Sequence, residues 1–224
     1  MPSRGIVKAL FNRPWYIGDT INIGIGQSYW TATPVQLTQS ITTLVNKGRR
    51  IIPQIIRGNM QKETVVVQAI KERRPIVIKN EHNWDMVLDA MYGTVNREGS
   101  ARNAFRGAHY ISAGKTGTAQ LVSIAQDEKY DASKLSKKNH DNAMYVGYAP
   151  YDKPQIVLSV VLENAGHGGA EAAPIARKMM DDYFKDQTFP EHKVIESLSQ
   201  KPGELELTQV KLKPVVSAQL GTQP

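Results

Sequence analysis

The chain has 224 residues, of which 41% are hydrophobic and 22% charged, and it carries a net charge of +7 and no cysteine. This composition supports a folded core and argues against global disorder. The lack of cysteine excludes disulfides, thiolate nucleophiles, iron–sulfur clusters and cysteine-ligated zinc, and it fits an oxidising compartment. No apolar run approaches the length of a membrane span, and the first residues lack the apolar core of a secretory signal.

The positive charge concentrates between residues 47 and 79, where nine basic residues accompany two acidic ones. Such a stretch can form a surface for nucleic acids. However, no basic run carries interleaved aromatic residues, and no nucleic-acid-binding motif is present. We therefore interpret the stretch as a solvated face that favours anionic ligands, and we predict no nucleic-acid partner.

The first third of the chain carries two local signals. Residues 14–26 are rich in turn residues, and three alternating isoleucines within them predict a short extended segment. A helix is predicted from Pro34, because Thr33 can cap it and proline suits the first helical position. Gly48 supplies its C-terminal stop.

The middle third predicts short strands and one helix. Residues 51–78 contain two strand candidates, Val65–Val67 and Ile76–Ile78. The segment Asn83–Asn96 predicts a helix that has its apolar residues on one face. Residues 97–107 predict a polar loop.

The last third predicts three strands and a helix. We expect the strands at Tyr110–Leu121, Ala143–Ala149 and Gln155–Glu163. The third strand is apolar on both faces, which is typical of a central strand, and the turn before it predicts an antiparallel hairpin. A charged insertion at residues 126–142 predicts a loop.

The final helix is predicted at Ala172–Phe184. Its expected buried stripe consists of Ile175, Ala176, Met179, Met180 and Tyr183. From residue 186 to 224 the chain is polar, and we expect a mostly disordered tail.

The motif Lys115-Thr116-Gly117 carries the chemical signal. The lysine places a fixed cation, the threonine hydroxyl can bind a substrate carboxylate, and the glycine lets a substrate lie against the strand edge. The backbone N–H of Thr118 can point at a developing oxyanion. This motif is one of the serine acyl-transferase signatures, together with Ser-x-x-Lys and Ser-x-Asn.

A second segment supports this interpretation. Gly24-Ile25-Gly26-Gln27, taken with the Lys115–Gln120 stretch, resembles the transpeptidase domain of class B penicillin-binding proteins. Three further segments resemble the elongation-type members of that class: Pro14-Trp15-Tyr16, Met91-Tyr92-Gly93 and Leu162-Glu163-Asn164. The resemblance runs in order over residues 12–184.

The resemblance implies an α/β (α+β) fold of the serine β-lactamase type, in which helices flank an antiparallel sheet on both faces. It implies that residues 1–185 are the C-terminal portion of a transpeptidase domain, with two N-terminal strands missing. The strand at Gln155–Glu163 would then expose an edge, so the isolated chain is expected to be aggregation-prone or to need its missing half. An N-terminal membrane anchor is also expected outside these residues.

The family's nucleophile motif is not found where the family order places it. No Ser-x-Asn occurs, and the single Ser-x-x-Lys starts at Ser112 and ends on the lysine of the Lys-Thr-Gly motif. The family's nucleophile begins a helix, whereas Ser112 falls on a predicted strand. We therefore predict no nucleophile in this chain.

The resemblance assigns roles to the matching residues. Lys115 would join the hydrogen-bond network of the two missing serines, and Thr116 and Thr118 would bind the carboxylate of a D-Ala-D-Ala stem peptide or a β-lactam. The Thr118 N–H would form half of the oxyanion hole, and Gly117 would permit close approach. Gly24, Gly26 and Gln27 would support the site structurally.

The expected function is part of a peptidoglycan D,D-transpeptidase that acts in cell elongation and shape maintenance. The whole protein is expected at the periplasmic face of the inner membrane, with partners in the elongation machinery. The alternative is a catalytically inactive fragment. No cofactor or metal is expected: the Gly24-x-Gly26 pattern lacks the third glycine of a dinucleotide site, and His167 and Glu171 belong to no ligand motif.

Overall fold

The computed structural model describes residues 3–27, 30–56, 58–61, 64–122 and 135–189. The helices of these ranges are α1 Arg4–Phe11, α2 Ile17–Gly24, α3 Pro34–Val45, α4 His82–Asn96, α5 Arg102–Phe105 and α6 Ala172–Phe184. The strands are β1 Arg50–Ile51, β2 Gly58–Gln61, β3 Thr64–Val67, β4 Glu72–Arg73, β5 Ala113–Ala119, β6 Asn142–Ala149 and β7 Ile156–Leu162. None of these helices combines the length and the hydropathy that a membrane span needs.

Two of the sequence predictions fall largely outside these ranges. Most of the charged insertion lies in residues 123–134, and the polar tail lies almost entirely in residues 190–224. Within the described part of the insertion, Lys137–Asn139 form a single turn of 3-10 helix, and β6 begins at Asn142.

The main sheet has three antiparallel strands in the order β5-β6-β7. Thr116 pairs with Tyr145 across the first interface, and Tyr145 pairs with Val160 across the second. The predicted hairpin between β6 and β7 is therefore correct. Two further antiparallel pairs, β1–β4 and β2–β3, lie between α3 and α4 in sequence.

Helices cover both faces of this sheet. On one face α3 and α4 contribute Val45, Leu88 and Met91 to a core that includes Tyr148. On the other face α5 and α6 contribute the apolar side chains that pack around Tyr145: Phe105, Ala172, Ala173, Ala176, Met180 and Phe184. The prediction of an antiparallel sheet flanked by helices on both faces is confirmed.

The N-terminus of α3 forms as its sequence predicts. The Thr33 hydroxyl accepts a hydrogen bond from the Gln36 N–H at 3.3 Å, and the Gln36 side chain accepts one from the Thr33 N–H at 2.9 Å. This reciprocal capping box satisfies two backbone donors that the helix leaves unpaired. Three residues after the helix ends, Gly48 adopts a φ of +95°, as expected for a stop.

The extended segment predicted around the alternating isoleucines is wrong, because Ile21 and Ile23 lie within α2 and Ile25 caps its C-terminus. Ile17, Ile21 and Ile25 also repeat every four residues, and this second period matches a helix. Asp19 supports the helical choice, since its carboxylate accepts the Tyr16 N–H at 2.9 Å and pairs with Arg13 at 2.8 Å. The hydrogen bond from Arg13 is the main reason that the pKa of Asp19 is lowered.

β7 is an edge strand of the described sheet, as the resemblance implied for these residues alone. Its apolar composition, which is typical of a central strand, reflects the helices that it contacts on both faces. Three other predictions need correction. Residues 76–78 form no strand, and the predicted loop at 97–107 contains α5. Three residues predicted to lie in the core on α6 are instead 42–48% exposed: Ile175, Met179 and Tyr183. They are exposed because α6 turns its alanines to the sheet.

Tyr145 crosses the sheet under α6 and requires two glycines beside it. A Cβ at Gly114 would overlap its phenol ring, and one at Gly147 would lie 2.7 Å from its hydroxyl oxygen. This hydroxyl is buried and, among the described residues, finds no hydrogen-bond partner. Burial raises the pKa of Tyr145 and of Tyr148 well above the ordinary value for a phenol.

We predict that Tyr145→Phe leaves the free energy of unfolding at neutral pH unchanged or raises it by up to ~1 kcal/mol, because a buried hydroxyl without a partner costs desolvation. Above pH ~10 the unfolded phenol ionises and the folded one does not, so stability falls as pH rises, by up to ~1.4 kcal/mol per pH unit per such group. The free energy of unfolding of the variant, measured by urea denaturation of a dilute solution of the chain, should therefore fall less steeply as the pH rises above ~10. Tyr183→Phe, at an exposed position, should behave as wild type, and an unchanged alkaline slope in Tyr145→Phe would contradict the assignment.

We further predict that this chain on its own self-associates through the edge of β7, because an edge strand presents unpaired backbone groups. Val161→Lys places a charge on that edge and should reduce the self-association measured by sedimentation velocity over a concentration series. Val77→Lys, on an 85% exposed residue outside the strands, is the matched control. A wild-type chain that stays monomeric over the whole series would refute the prediction.

Candidate active site

The Lys-Thr-Gly motif lies on β5, at the edge of the described sheet opposite β7. Lys115 and Gly117 pair with Val146 and Met144 of β6. Because side chains alternate along a strand, Lys115 points to the face of α3 and α4, and the hydroxyls of Thr116 and Thr118 point to the face of α5 and α6. The motif thus presents different groups on the two faces of one exposed strand edge.

The ammonium of Lys115 lies at the outer edge of β5. The side chain is exposed, and Nζ donates a hydrogen bond to the Thr116 carbonyl oxygen at 2.8 Å. Among the described residues, no carboxylate forms an ion pair with it. Its positive charge is therefore available to an anionic ligand.

Gln27 lies against the same edge, 91 residues away in sequence. Its side-chain amide donates a hydrogen bond to the Thr118 carbonyl oxygen at 2.9 Å, and its amide oxygen faces the Gln120 N–H at 3.5 Å. The two backbone groups of one residue on an antiparallel strand point the same way, so the N–H of Thr118 also points away from β6. The outer edge thus presents a backbone donor beside the Lys115 cation.

Two glycines bring Gln27 to this position. Gly24 is the last residue of α2, and Gly26 adopts a φ of +81°, which lets the chain turn sharply after the helix. In this turn the N–H groups of Gly26 and Gln27 donate to the carbonyl oxygens of Ile23 and Asn22. The predicted Gly24–Gln27 segment therefore contacts the Lys-Thr-Gly strand directly.

Gly117 is enclosed on one face only. A Cβ there would lie 3.4 Å from the Met144 Cβ, which is close to van der Waals contact, so the face of α3 and α4 has room for little more than a methyl group. On the opposite face Gly168 packs directly on the backbone, since a Cβ at Gly168 would lie 3.0 Å from the Gly117 nitrogen and closer still to two carbonyl oxygens. The loop before α6 therefore braces the strand from one side.

Ser100 lies in the site, although the local sequence pattern did not predict this position. Its hydroxyl oxygen lies 2.6 Å from that of Thr116. Ser100 falls in the turn between α4 and α5, within the segment that the sequence predicted as a polar loop. Only its adjacency to Gly99 hinted at a tight turn, and nothing in the local pattern points to a strand 16 residues further on.

Ser112, the serine of the one Ser-x-x-Lys in the sequence, is 1% exposed. Its carbonyl oxygen accepts a hydrogen bond from the Asn96 side chain at 2.7 Å, and it precedes β5. A substrate carbonyl has no access to this hydroxyl. In the ranges that the structure describes, no three histidine, aspartate or glutamate side chains gather in a way that could hold a metal ion.

Comparison with known proteins places this geometry in a family. The family model for the penicillin binding protein transpeptidase domain matches residues 5–181. The peptidoglycan D,D-transpeptidase MrdA of Haemophilus influenzae is 41% identical over 197 residues, which cover 85% of this chain and 29% of that protein. This chain therefore spans less than a third of that relative's length.

Solved structures agree with the sequence relatives. Pseudomonas aeruginosa PBP2 in complex with WCK 5153 is 32% identical with a TM-score of 0.65, covering 84% of this chain and 38% of that one. A chain of a peptidoglycan synthase complex, studied for the coordination of polymerization and crosslinking, is 25% identical with a TM-score of 0.62, covering 85% of this chain and 30% of that one. Since the family model matches most of the sequence, the chain belongs to the penicillin-binding protein transpeptidase domain family.

Proposed function

We propose that this chain is the C-terminal part of a peptidoglycan D,D-transpeptidase that cross-links stem peptides through a serine acyl-enzyme. The observation that carries the proposal is the arrangement of four consecutive residues on β5. The Lys115 cation and the Thr118 N–H lie at the outer edge of the strand, and the Thr116 and Thr118 hydroxyls lie on its adjoining face. Such an edge suits a peptide that ends in a carboxylate, because a strand edge binds peptide backbone while the cation and hydroxyls bind the anion.

Each residue of the motif has a distinct role in this proposal. Thr116 and Thr118 donate their hydroxyl protons to the terminal carboxylate of a D-Ala-D-Ala stem peptide or to the matching carboxylate of a β-lactam. Lys115 favours the same anion by its charge, and it takes part in the hydrogen-bond network of the serines that transfer protons. Gly117 leaves the strand edge free of a side chain where the substrate lies.

The N–H of Thr118 supplies one donor of an oxyanion hole. During acyl transfer the attacked carbonyl gains negative charge, and a donor already fixed in the strand stabilises it without reorganisation. The Gln27 amide holds the carbonyl oxygen of the same residue, which keeps the N–H pointed outward. Gly24, Gly26 and Gln27 are therefore structural supports of the site.

The serine that forms the acyl-enzyme is proposed to come from polypeptide outside residues 1–224. Ser112 is buried, and the sequence contains no other Ser-x-x-Lys and no Ser-x-Asn. We accordingly propose that residues 1–185 form the later portion of the catalytic domain and that residues 186–224 are a tail. The alternative function, a catalytically inactive fragment, describes this chain when it is alone.

The location and partners follow from the same proposal. A peptidoglycan transpeptidase of the elongation type acts at the periplasmic face of the inner membrane, held there by an N-terminal anchor outside this chain. One similar structure belongs to a peptidoglycan synthase complex, which supports partners in the elongation machinery.

We predict that the 224-residue chain alone forms no covalent adduct with a fluorescent penicillin, whereas the full-length protein that contains it does. In the full-length protein, Lys115→Ala should lower the second-order acylation rate by at least ~100-fold, since proton transfer typically contributes that much. Denaturing gels with a time course of fluorescence measure both. Lys153→Ala, in the turn before β7, should acylate as wild type.

Two outcomes would overturn the proposal. One is a full-length protein that is not acylated although it is folded. The other is an adduct on the isolated chain that disappears in Ser112→Ala, which would make Ser112 the nucleophile.

We predict that Gln27→Ala loosens β5, because it removes the side-chain amide that holds the Thr118 carbonyl and faces the Gln120 N–H. Hydrogen exchange of the β5 amides should accelerate by about 5- to 10-fold, as expected for the loss of one hydrogen bond. Gln54→Ala is a matched control, since Gln54 donates a similar bond to the Ala69 carbonyl oxygen at 3.3 Å, away from β5. Equal exchange of β5 in both variants would count against the supporting role of Gln27.

A further inference from the structure

Ser100 and Thr116 form a hydroxyl pair beside the Lys-Thr-Gly edge. Their oxygens are 2.6 Å apart, which is a short hydrogen bond between hydroxyls. Ser100 is exposed and Thr116 half-buried, so the pair lies where a ligand can reach it. No role follows for Ser100 from the sequence motif, which starts 15 residues later.

The backbone of Ser100 is held by contacts on both sides. Gly99 packs on Thr94 at the end of α4 so closely that a Cβ there would overlap the Thr94 backbone. From the other side, a Cβ at Gly169 would lie 2.6 Å from the Ser100 carbonyl oxygen. The N–H of Ala101 also donates to the Thr94 carbonyl oxygen at 3.1 Å. Packed neighbours therefore hold the backbone of Ser100 in place beside β5, and the contact with Thr116 Oγ1 orients its hydroxyl.

The chemistry of a hydroxyl pair gives it a direction. Each hydroxyl has one proton to donate and lone pairs that accept. If Thr116 donates its proton to Ser100, it has none left for a carboxylate. If Ser100 donates to Thr116, the Thr116 proton is free, and the accepted bond polarises it further. An anion at Thr116 accepts only, so it selects the second arrangement.

We propose that Ser100 is a positioning residue that donates to Thr116 Oγ1 and thereby turns the Thr116 proton toward the carboxylate of the substrate. This rests on the proposed function, in which Thr116 binds that carboxylate. Ser100 does not contact the substrate and transfers no proton to it; it acts only through the Thr116 hydroxyl. Its contribution is specific to anionic ligands, because a neutral ligand does not require Thr116 as a donor.

The test compares two ligands on the full-length protein: a penicillin with its free carboxylate and the methyl ester of the same penicillin. Ser100→Ala should lower the acylation rate constant for the acid by about 5- to 10-fold, the effect of one hydrogen bond, and leave the slow reaction of the ester unchanged. Ser100→Thr keeps the hydroxyl, so its acylation rate constant for the acid should lie within about 2-fold of the wild-type value. Mass spectrometry of the adduct measures both reactions.

A double-mutant cycle tests the route through Thr116. Thr116→Val alone should lower the acylation rate constant for the free acid and not for the ester. Adding Ser100→Ala should lower it no further, because the Ser100 hydroxyl acts through the Thr116 hydroxyl. Ser40→Ala is the matched control: its hydroxyl donates to the Leu37 carbonyl oxygen on α3, away from β5.

The outcomes separate this proposal from the proposed function. If wild type is not acylated by the free acid, the proposed function fails. If wild type is acylated but Ser100→Ala slows acid and ester equally, Ser100 is only structural and the positioning role is refuted. An unchanged acid rate in Ser100→Ala also refutes it.

Discussion

The contact between Gly168 and the backbone of Gly117 is the constraint on which the rest of the site depends. It presses the loop before α6 onto β5 and β6 with no side chain between them, since any Cβ at Gly168 would overlap carbonyl oxygens of both strands. The next residue, Gly169, packs in the same way on Ser100. Three segments that are far apart in sequence therefore meet through backbone atoms, which are rigid and do not change rotamer.

Local signals explain which parts of the fold and site could be predicted from sequence. The capping pair Thr33 and Gln36 defines the start of α3 without help from tertiary structure. The Lys115–Thr118 motif forms a strand edge as its residue types suggest. The segment from residue 17 to 25 carries two periods at once, and the Arg13–Asp19 ion pair favours the helical one. Periodicity alone does not reveal this ion pair, so it could not decide between a helix and an extended segment.

Long-range contacts account for what the sequence did not predict. Ser100 reaches Thr116 only because α4, the sheet and the loop before α6 meet at glycines. The apolar composition of β7 suggested a central strand, but it reflects helices on both faces and not strands on both sides. The exposed edge of β7 followed only from the resemblance, which implies that neighbouring strands are missing. Composition reports how deeply a strand is buried, whereas strand order depends on pairing with residues elsewhere.

The two edges of the sheet have different environments, and this difference bears on mechanism. At the edge of β7, Ser159 bonds Thr38 and the Pro34 carbonyl oxygen, so α3 uses polar groups near that edge. At the edge of β5, Lys115 and the Thr118 N–H face outward. In the proposed function this half-site holds the anionic end of a peptide, and a serine on a different segment supplies the nucleophile. Binding energy from the remote carboxylate would then orient the reacting carbonyl against that serine, which is how such energy increases rate and not only affinity.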